Sequence, residues 1–384
     1  MNTSTAPQHR LPTDMPLAAR RVLPLLQKLQ HGRLHLRLPN GSESVYGQGE
    51  QPSASLVVHD WGVFAAAMRS GDIGFAESFI AGEWETPDLC ALLRVFIANR
   101  NALEAVIYGH WWGQLAHRLR HWLNRNTRSN SRKNIHAHYD LGNAFYSLWL
   151  DETMNYSSAW FDGNPMLPMD QAQDAKVRRA LRMVNLTPGQ NQRLLEIGCG
   201  WGALAEMATR EWGVDFTGVT LSDQQLAHAQ KRLTDQGLGA QAQFRLQDYR
   251  DISDAPFDAI CSIEMIEAVG QEYWPTYFQT IARMLKPGGR ACIQSIVIDD
   301  ALWERYIRST DFIQQYIFPG GCLPCPREFK REALSAGLKV IDEFHFGRDY
   351  AETCRRWRAD FLARKEEVLS LGFDERFLRI WDFY

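Results

Sequence analysis

One stretch constrains this chain more than any other: Leu194-Leu195-Glu196-Ile197-Gly198-Cys199-Gly200-Trp201-Gly202, an apolar run that passes straight into alternating glycines. Residues 194–197 have the composition of a buried strand, and glycine at alternate positions lets the backbone approach a ligand closely before a helix opens with free amides. Such an edge suits a nucleotide-like ligand. The spacing is G-x-G-x-G, without the G-x-x-G ending of a dinucleotide fingerprint, and Glu196 lies just ahead of it, where a carboxylate can pair a cationic amino group. These details favour S-adenosylmethionine over a pyrophosphate cofactor.

Glycine at a strand-to-helix turn also serves sterics alone, so the continuation decides. Residues 214–219 (VDFTGV) read as a second strand, and Ser222 caps a helix carrying Gln225, Leu226, Ala229 and Leu233. A strand ending at Gln247-Asp248-Tyr249 follows, then the apolar run 257–263 (FDAICSI), a helix from Tyr273, and strands through Ala291, Ile293 and Ile296 and near 338–344. Strands alternating with helices predict an α/β fold, a doubly wound, Rossmann-like sheet of the class I methyltransferase kind. The ligand then belongs at the carboxyl ends of the strands.

At 384 residues and 45% hydrophobic, the chain is long enough for two domains with full cores. It has no continuous apolar stretch near the roughly 20 residues of a membrane span, and residues 1–29 do not read as a secretory signal. The seven cysteines are scattered, which argues against a disulfide framework and for a cytoplasmic setting. Cys322 and Cys325 have no second pair to make a zinc site, so no metal is expected.

A net charge of −3 conceals a local asymmetry. Between His110 and Lys133 lie five arginines, one lysine and three histidines, with no acid. Leu103, Ile107, Trp111, Leu115, Leu119 and Leu123 recur at four-residue spacing and make one apolar helical face, flanked by Trp112 and Trp122. A basic helix bearing tryptophan fits an anionic membrane interface; the alternative is a core-facing helix followed by a solvated linker over 124–133. No nucleic-acid reading motif accompanies the charge. Composition places a domain boundary in that linker. Residues 1–125 form a small α/β module, with a hairpin turning at Pro39-Asn40-Gly41 and helices near 61–68 and 87–97, suited to lipid docking or homodimerisation. Residues 126–384 form the catalytic domain.

These residues resemble the cyclopropane-fatty-acyl-phospholipid synthases, a family that includes the mycolic acid cyclopropane synthases. The motifs that carry the resemblance are residues 138–143 (HYDLGN), 154–158 (MNYSS), 195–202 (LEIGCGWG), 218–222 (GVTLS), 247–251 (QDYRD), 262–270 (SIEMIEAVG) and 318–324 (FPGGCLP), in family order. The resemblance implies that Tyr156, Ser157, Glu196, Gly198, Gly200, Gly202, Thr220, Leu221, Ser222, Gln225, Asp248 and Tyr249 surround S-adenosylmethionine. It also implies methylene transfer to the cis double bond of an unsaturated phospholipid at the inner membrane face, by an enzyme peripherally associated there.

In that reaction the alkene attacks the sulfonium methyl, a carbocation develops, and loss of a proton from the delivered carbon closes a three-membered ring. The site must exclude water and hold a base. The family uses a bound bicarbonate, and the matching positions are Glu267, Tyr350, Ile296 through its backbone, Ser158 in place of a cysteine and Gln294 in place of a histidine. Gln294 hydrogen-bonds but carries no charge at neutral pH. Without the bicarbonate, the same first step leads to methylene- or methyl-branched chains, and a non-catalytic lipid-binding protein is the alternative of another class. The segment 299–325 is expected to act as an acyl-chain lid, with Trp303, Tyr306, Phe312, Tyr316 and Phe318 lining a dry slot. In the family the segment matching 373–384 runs on to a functional cysteine for which this sequence offers no position.

Overall fold

The computed structural model describes residues 15–104, 130 and 141–384. The basic amphipathic stretch beyond Leu103, the linker, the proposed boundary at 125 and residues 138–140 lie outside the described residues. The chain forms two compact units. One comprises Met1–Arg120 with Ser309–Gln315 and Glu375–Tyr384; the other comprises His121–Arg308 and Tyr316–Asp374. Two late segments thus join the amino-terminal unit, a division that one cut in the sequence cannot express.

The first unit is built on a four-stranded sheet of β1 (Arg33–Arg37), β2 (Glu43–Tyr46), β3 (Ser53–Val58) and β4 (Trp84–Glu85), in the order β2-β1-β3-β4. Strand alternation decides which side faces the core: Leu34 and Leu36 are buried, their neighbours on β1 exposed. The predicted hairpin joins β1 to β2 at Gly41, whose φ of +79° suits glycine, and Asn40 Oδ1 accepts the Ser42 amide at 3.1 Å. Helices Gly62–Ser70 and Asp72–Ile80 fold back on each other so closely that a side chain at Gly74 would meet the Ala66 carbonyl. Trp84 anchors this unit. It is wholly buried, stacks on Phe75 at 4.2 Å and donates its indole N–H to the Phe75 carbonyl at 3.0 Å.

The second unit holds five parallel strands: β5 (Arg193–Ile197), β6 (Asp215–Thr220), β7 (Ala242–Leu246), β8 (Phe257–Ile263) and β9 (Leu285–Gln294), in the order β7-β6-β5-β8-β9. Strand order reverses between β5 and β8, so a crevice opens at their carboxyl ends. Both faces are covered, and β5 is accordingly buried at four of its five positions, Arg193 being half-buried. Leu194, Phe216, Ala259 and Cys261 pack on one face with Val177, Leu181, Leu204 and Leu233; Leu195, Val219 and Ile260 pack on the other with Trp274, Tyr277, Phe278 and Ile281. The fold is the expected class I methyltransferase α/β architecture.

One expected strand is missing. Residues 338–346 pair with no neighbour; they are tied instead by side chains, with the Arg179 guanidinium 4.0 Å from the Phe344 ring centroid and Lys330 bonded to Glu343 at 2.5 Å. Alternating apolar residues there lack a ladder to fix them. Val340, Ile341 and Phe344 are exposed.

Trp84→Ala should destabilise the first unit by about 3–5 kcal/mol, through lost packing and an orphaned Phe75 carbonyl. Chemical denaturation followed by fluorescence checks this, and a loss below about 1 kcal/mol contradicts the anchoring role.

Candidate active site

The loop after β5 shapes the crevice. Gly198, Gly200 and Gly202 all have positive φ, at +83°, +50° and +85°. Gly200 faces open space, so the backbone itself forms the cleft wall there, whereas a side chain at Gly202 would press on Ala229 of the helix Asp223–Asp235. Gly202 therefore lies behind the cleft, as does Ser222, whose hydroxyl accepts the Gln225 amide at 3.3 Å and caps that helix. The other expected cofactor residues line the cleft together. Tyr156, Ser157, Glu196, Gly198 and Gly200 bound one end, and Thr220, Leu221, Gln225, Asp248 and Tyr249 the other.

Polar groups at the far end are already fixed. Thr220 Oγ1 donates to Gln225 Oε1 at 2.8 Å and accepts the Ser222 amide at 3.2 Å. Asp248 grips Arg250: Oδ1 accepts its amide at 2.9 Å and its Nε at 2.8 Å, and Oδ2 pairs with Nη2 at 2.5 Å. An adenine amino group would find Asp248 pre-oriented but partly engaged. Tyr249 is buried and its hydroxyl has no hydrogen-bond partner.

The near end is a buried charge cluster. Glu196 is 4% exposed and its Oε2 has no partner. Lys176, from the helix Met169–Met183, donates to Ser157 Oγ at 2.7 Å and Asn155 Oδ1 at 3.3 Å. Burial pushes the Glu196 carboxyl up to about 8 against the pull of Lys176, and lowers Lys176 to about 8 despite nearby acids. An unpaired buried carboxylate oxygen is costly unless a cation arrives. The site fits a ligand with an ammonium group.

The expected catalytic residues converge beside this cluster, around a residue that had not been singled out. Glu264 follows β8 and lines the cleft with its backbone at φ +48°, a left-handed conformation costing a non-glycine residue roughly 1–2 kcal/mol. Its Oε1 accepts the Ser158 amide at 2.9 Å and Gln294 Nε2 at 2.8 Å, and its carboxylate is also hydrogen-bonded by Tyr350. Glu267 takes the Ile296 amide on Oε1, while its buried Oε2 has no partner. Burial, followed by repulsion from Glu264, raises Glu267 to about 8. Burial raises Glu264 as well, opposed by the Ser158, Gln294, Lys176 and Tyr350 contacts. The Ser158 hydroxyl itself bonds the Ala159 carbonyl at 2.9 Å.

The expected lipid slot is dispersed. Trp303 lies in the core under Trp274, ring centroids 5.7 Å apart, and Tyr306 Oη accepts the Leu323 amide at 3.0 Å in the same core. Phe312 belongs to the other unit, packed on Phe383 at 4.8 Å, and Tyr316 is half-buried. Phe318 stacks on the cleft residue Tyr156, ring centroids 6.4 Å apart. An aromatic wall does exist, built elsewhere: Tyr156 meets Trp149 at 5.4 Å and Trp357 at 5.5 Å, and Trp357 meets Tyr350 at 6.3 Å. It links the cleft to the Glu264 network. Among the described residues no cluster could hold a metal ion, and no helix is long and apolar enough to cross a membrane.

Comparison with known proteins gives a consistent set of likenesses. A family model described as mycolic acid cyclopropane synthetase matches residues 126–384. The tuberculostearic acid methyltransferase UfaA1 of Mycobacterium tuberculosis is 35% identical over 359 residues, 91% of this chain and 83% of that protein. The cyclopropane-fatty-acyl-phospholipid synthase of Escherichia coli K12 is 34% identical over 335 residues, 86% of this chain and 82% of that one. Among solved structures, mycolic acid cyclopropane synthase CmaA1, complexed with SAH and CTAB, aligns with a TM-score of 0.60 and 30% identity, covering 65% of this chain and 91% of that chain.

Glu196 makes ligand binding pH-dependent. An unfolded glutamate titrates near 4.5, so between 4.5 and about 8 the folded protein retains a proton that a cationic ligand must displace. S-adenosylhomocysteine should therefore bind more tightly as pH rises from about 6 to about 8, by up to about tenfold per unit. Calorimetry in buffers of different ionisation heat should register proton release, and Glu196→Gln should flatten the slope; an unchanged slope in that variant would remove Glu196 from the ammonium site.

Proposed function

Because this chain belongs to the mycolic acid cyclopropane synthetase family, an S-adenosylmethionine-dependent family that cyclopropanates or methylates fatty acyl chains, we propose that its substrate is an unsaturated phospholipid. It transfers a methylene group to the cis double bond of the acyl chain and closes a cyclopropane. The cofactor is S-adenosylmethionine, which supplies an electrophilic methyl carbon on a sulfonium.

One observation carries the reading. The cleft brings together Glu196, a buried carboxylate with one unpaired oxygen, Tyr156 of the aromatic wall, and Glu264, whose carboxylate is raised by burial and lies near Glu267. Glu196 holds the ammonium group, and Ser157 is turned towards its own lysine by the Lys176 bond. Thr220, Gln225, Asp248 and Tyr249 supply hydroxyl, amide and carboxylate groups for the nucleoside. Tyr156, Trp149 and Trp357 keep water from the reacting carbons, and their π faces favour a developing cation. The acceptor for the departing proton stands among Glu264, Glu267 and their donors Ser158, Gln294, Tyr350 and Ile296. Contact with the membrane is assigned to the basic, tryptophan-bearing segment between His110 and Lys133.

A second reading keeps the first step and changes the product to a methylene- or methyl-branched chain. It is favoured by the departures at Ser158 and Gln294, both of which donate to Glu264, through the Ser158 amide and the Gln294 side chain.

Incubation of the protein and labelled S-adenosylmethionine with vesicles of a cis-monounsaturated phospholipid should place the label in the acyl chains. Ozonolysis then separates the cyclopropane from its methylene-branched isomer, which ozone cleaves, and mass spectrometry identifies a saturated methyl branch, which carries two more hydrogens and forms only where a separate reductant supplies them. Absence of label despite S-adenosylhomocysteine binding would leave a silent lipid-binding protein. Glu267→Gln should lower turnover by about 100-fold or more, with S-adenosylhomocysteine affinity little changed; parallel loss of both would place Glu267 in the cofactor site instead.

A further inference from the structure

We propose that the carboxylate of Glu264 is a built-in anion that takes the place of an exogenous bicarbonate, so that this enzyme carries its own proton acceptor. The inference rests on the lipid one-carbon transfer proposed above.

The positions that the family resemblance assigns to a bound bicarbonate are Ser158, Glu267, Gln294, Ile296 and Tyr350. Three of these make hydrogen bonds with Glu264: the Ser158 amide at 2.9 Å, Gln294 Nε2 at 2.8 Å, and Tyr350. Gln294 also reaches the Ser158 carbonyl at 3.4 Å, which fixes its amide so that the nitrogen faces the carboxylate. The Ile296 amide is taken by Glu267. The donors named for a free anion are therefore engaged by side chains of the chain itself.

Charge argues the same way. A free bicarbonate beside Glu264 would face two carboxylates, Glu264 and Glu267, in a half-buried pocket whose nearby buried cation, Lys176, already interacts with Glu264, Glu196 and Asp151. Like charges out of water repel strongly. The two glutamates then divide their roles: Glu264, hydrogen-bonded by Ser158, Gln294 and Tyr350 and attracted by Lys176, is the better anion, and Glu267, which accepts from Ile296 and Ser295 but is raised to about 8 by burial and by Glu264, keeps its own proton near neutral pH.

The backbone supports a functional reading. Glu264 is held at φ +48°, a conformation that glycine adopts without cost, and it keeps a long acidic side chain there because that geometry turns the carboxylate into the donors at the tips of β8 and β9. Purely structural needs at this turn would be better met by glycine.

The step balances without another reactant. After the alkene carbon has bonded to the delivered methyl, one C–H bond of that carbon breaks. Its electron pair closes the ring, or forms the C=C bond of a methylene branch after a hydride shift along the chain, and the proton passes to a Glu264 carboxylate oxygen. Cation and carboxylate neutralise each other, and the proton leaves to water with the product.

Glu264→Gly vacates the site at a backbone position suited to glycine. Wild-type turnover on unsaturated phospholipid vesicles should be unchanged in carbonate-free buffer, whereas Glu264→Gly should lose about 100-fold or more and recover when bicarbonate or formate is added. Independently of turnover, the line of ¹³C-labelled bicarbonate should broaden with Glu264→Gly and not with the wild-type protein. Binding of S-adenosylhomocysteine shows that the variant is folded; should it fail, Glu264→Gln, which keeps the shape and loses the charge, must show the same loss of turnover. Wild-type activity that falls when bicarbonate is removed, or wild-type protein that broadens the bicarbonate line as the variant does, overturns the proposal. If the bicarbonate contrast holds but wild-type protein gives no lipid product, the lipid reading fails and the anion assignment stands.

Discussion

Gathering three glutamates, one buried and two half-buried, near one buried lysine is the constraint from which the rest of the catalytic unit follows. Glu196 is buried and Glu264 and Glu267 are half-buried at the carboxyl ends of β5 and β8, and Lys176 interacts electrostatically with the first two. A pair of unit charges about 4 Å apart is worth about 4 kcal/mol at the effective dielectric of such sites, against several kcal/mol of lost hydration for each ion. The balance is met by protonation and by backbone donors, and it leaves one oxygen of Glu196 and one of Glu267 unsatisfied. Those two oxygens are the ones to which the proposed function gives a ligand and a reacting group. The switch in strand order supplies the location, because at a topological switch point the loops part and the strand tips are open to a ligand without exposing the sheet.

The aromatic residues complete this design from outside the sheet. Tyr156 reaches the cleft from the segment before the helix Met169–Met183, and Trp357 and Tyr350 come from the helix Gly347–Ala363. Ala159 is tied to the latter helix by the Thr353 hydroxyl at 3.1 Å. The same short stretch, 156–159, therefore bounds the cleft, donates to Glu264 through Ser158 and is pinned to the helix that carries Tyr350. A change in any of these contacts would be felt at the carboxylates.

Much of the fold could be read in advance because its signals are local. Alternation in β1, the Asn40-Gly41 turn, largely apolar stretches in β5 and β8, and the Ser222 cap each specify their element through neighbours in sequence. The misplacements share a cause. Trp303 and Tyr306 are as apolar as residues of a lipid slot, but composition cannot tell a wall from a core, and packing under Trp274 decided for the core. Residues 338–344 have strand-like composition but pair with no strand of either sheet, and side-chain contacts hold them instead. Lys176 was missed although a lysine among Ala172, Val177, Ala180 and Leu181, on the buried face of a helix, is a legible sign of an internal partner. Glu264 stood within a motif already read, yet the motif drew attention to Glu267, and the left-handed backbone that aims Glu264 has no signature in the residue type.

The smaller unit draws on three distant parts of the chain. Phe383 packs on Phe79 and Phe312, Arg379 bonds the Phe79 carbonyl at 2.9 Å, and Asp72 Oδ2 accepts the Phe312 amide at 3.1 Å. Contacts separated by some three hundred residues in sequence are slow to form, and their loop-closure entropy is met before they stabilise anything. During synthesis the part of this unit before residue 120 is made ahead of the segments 309–315 and 375–384 that complete it, so Phe79 lacks its partner Phe383 while the larger unit is being made. A fragment ending near residue 120 would keep that patch bare, and its solubility would suffer accordingly.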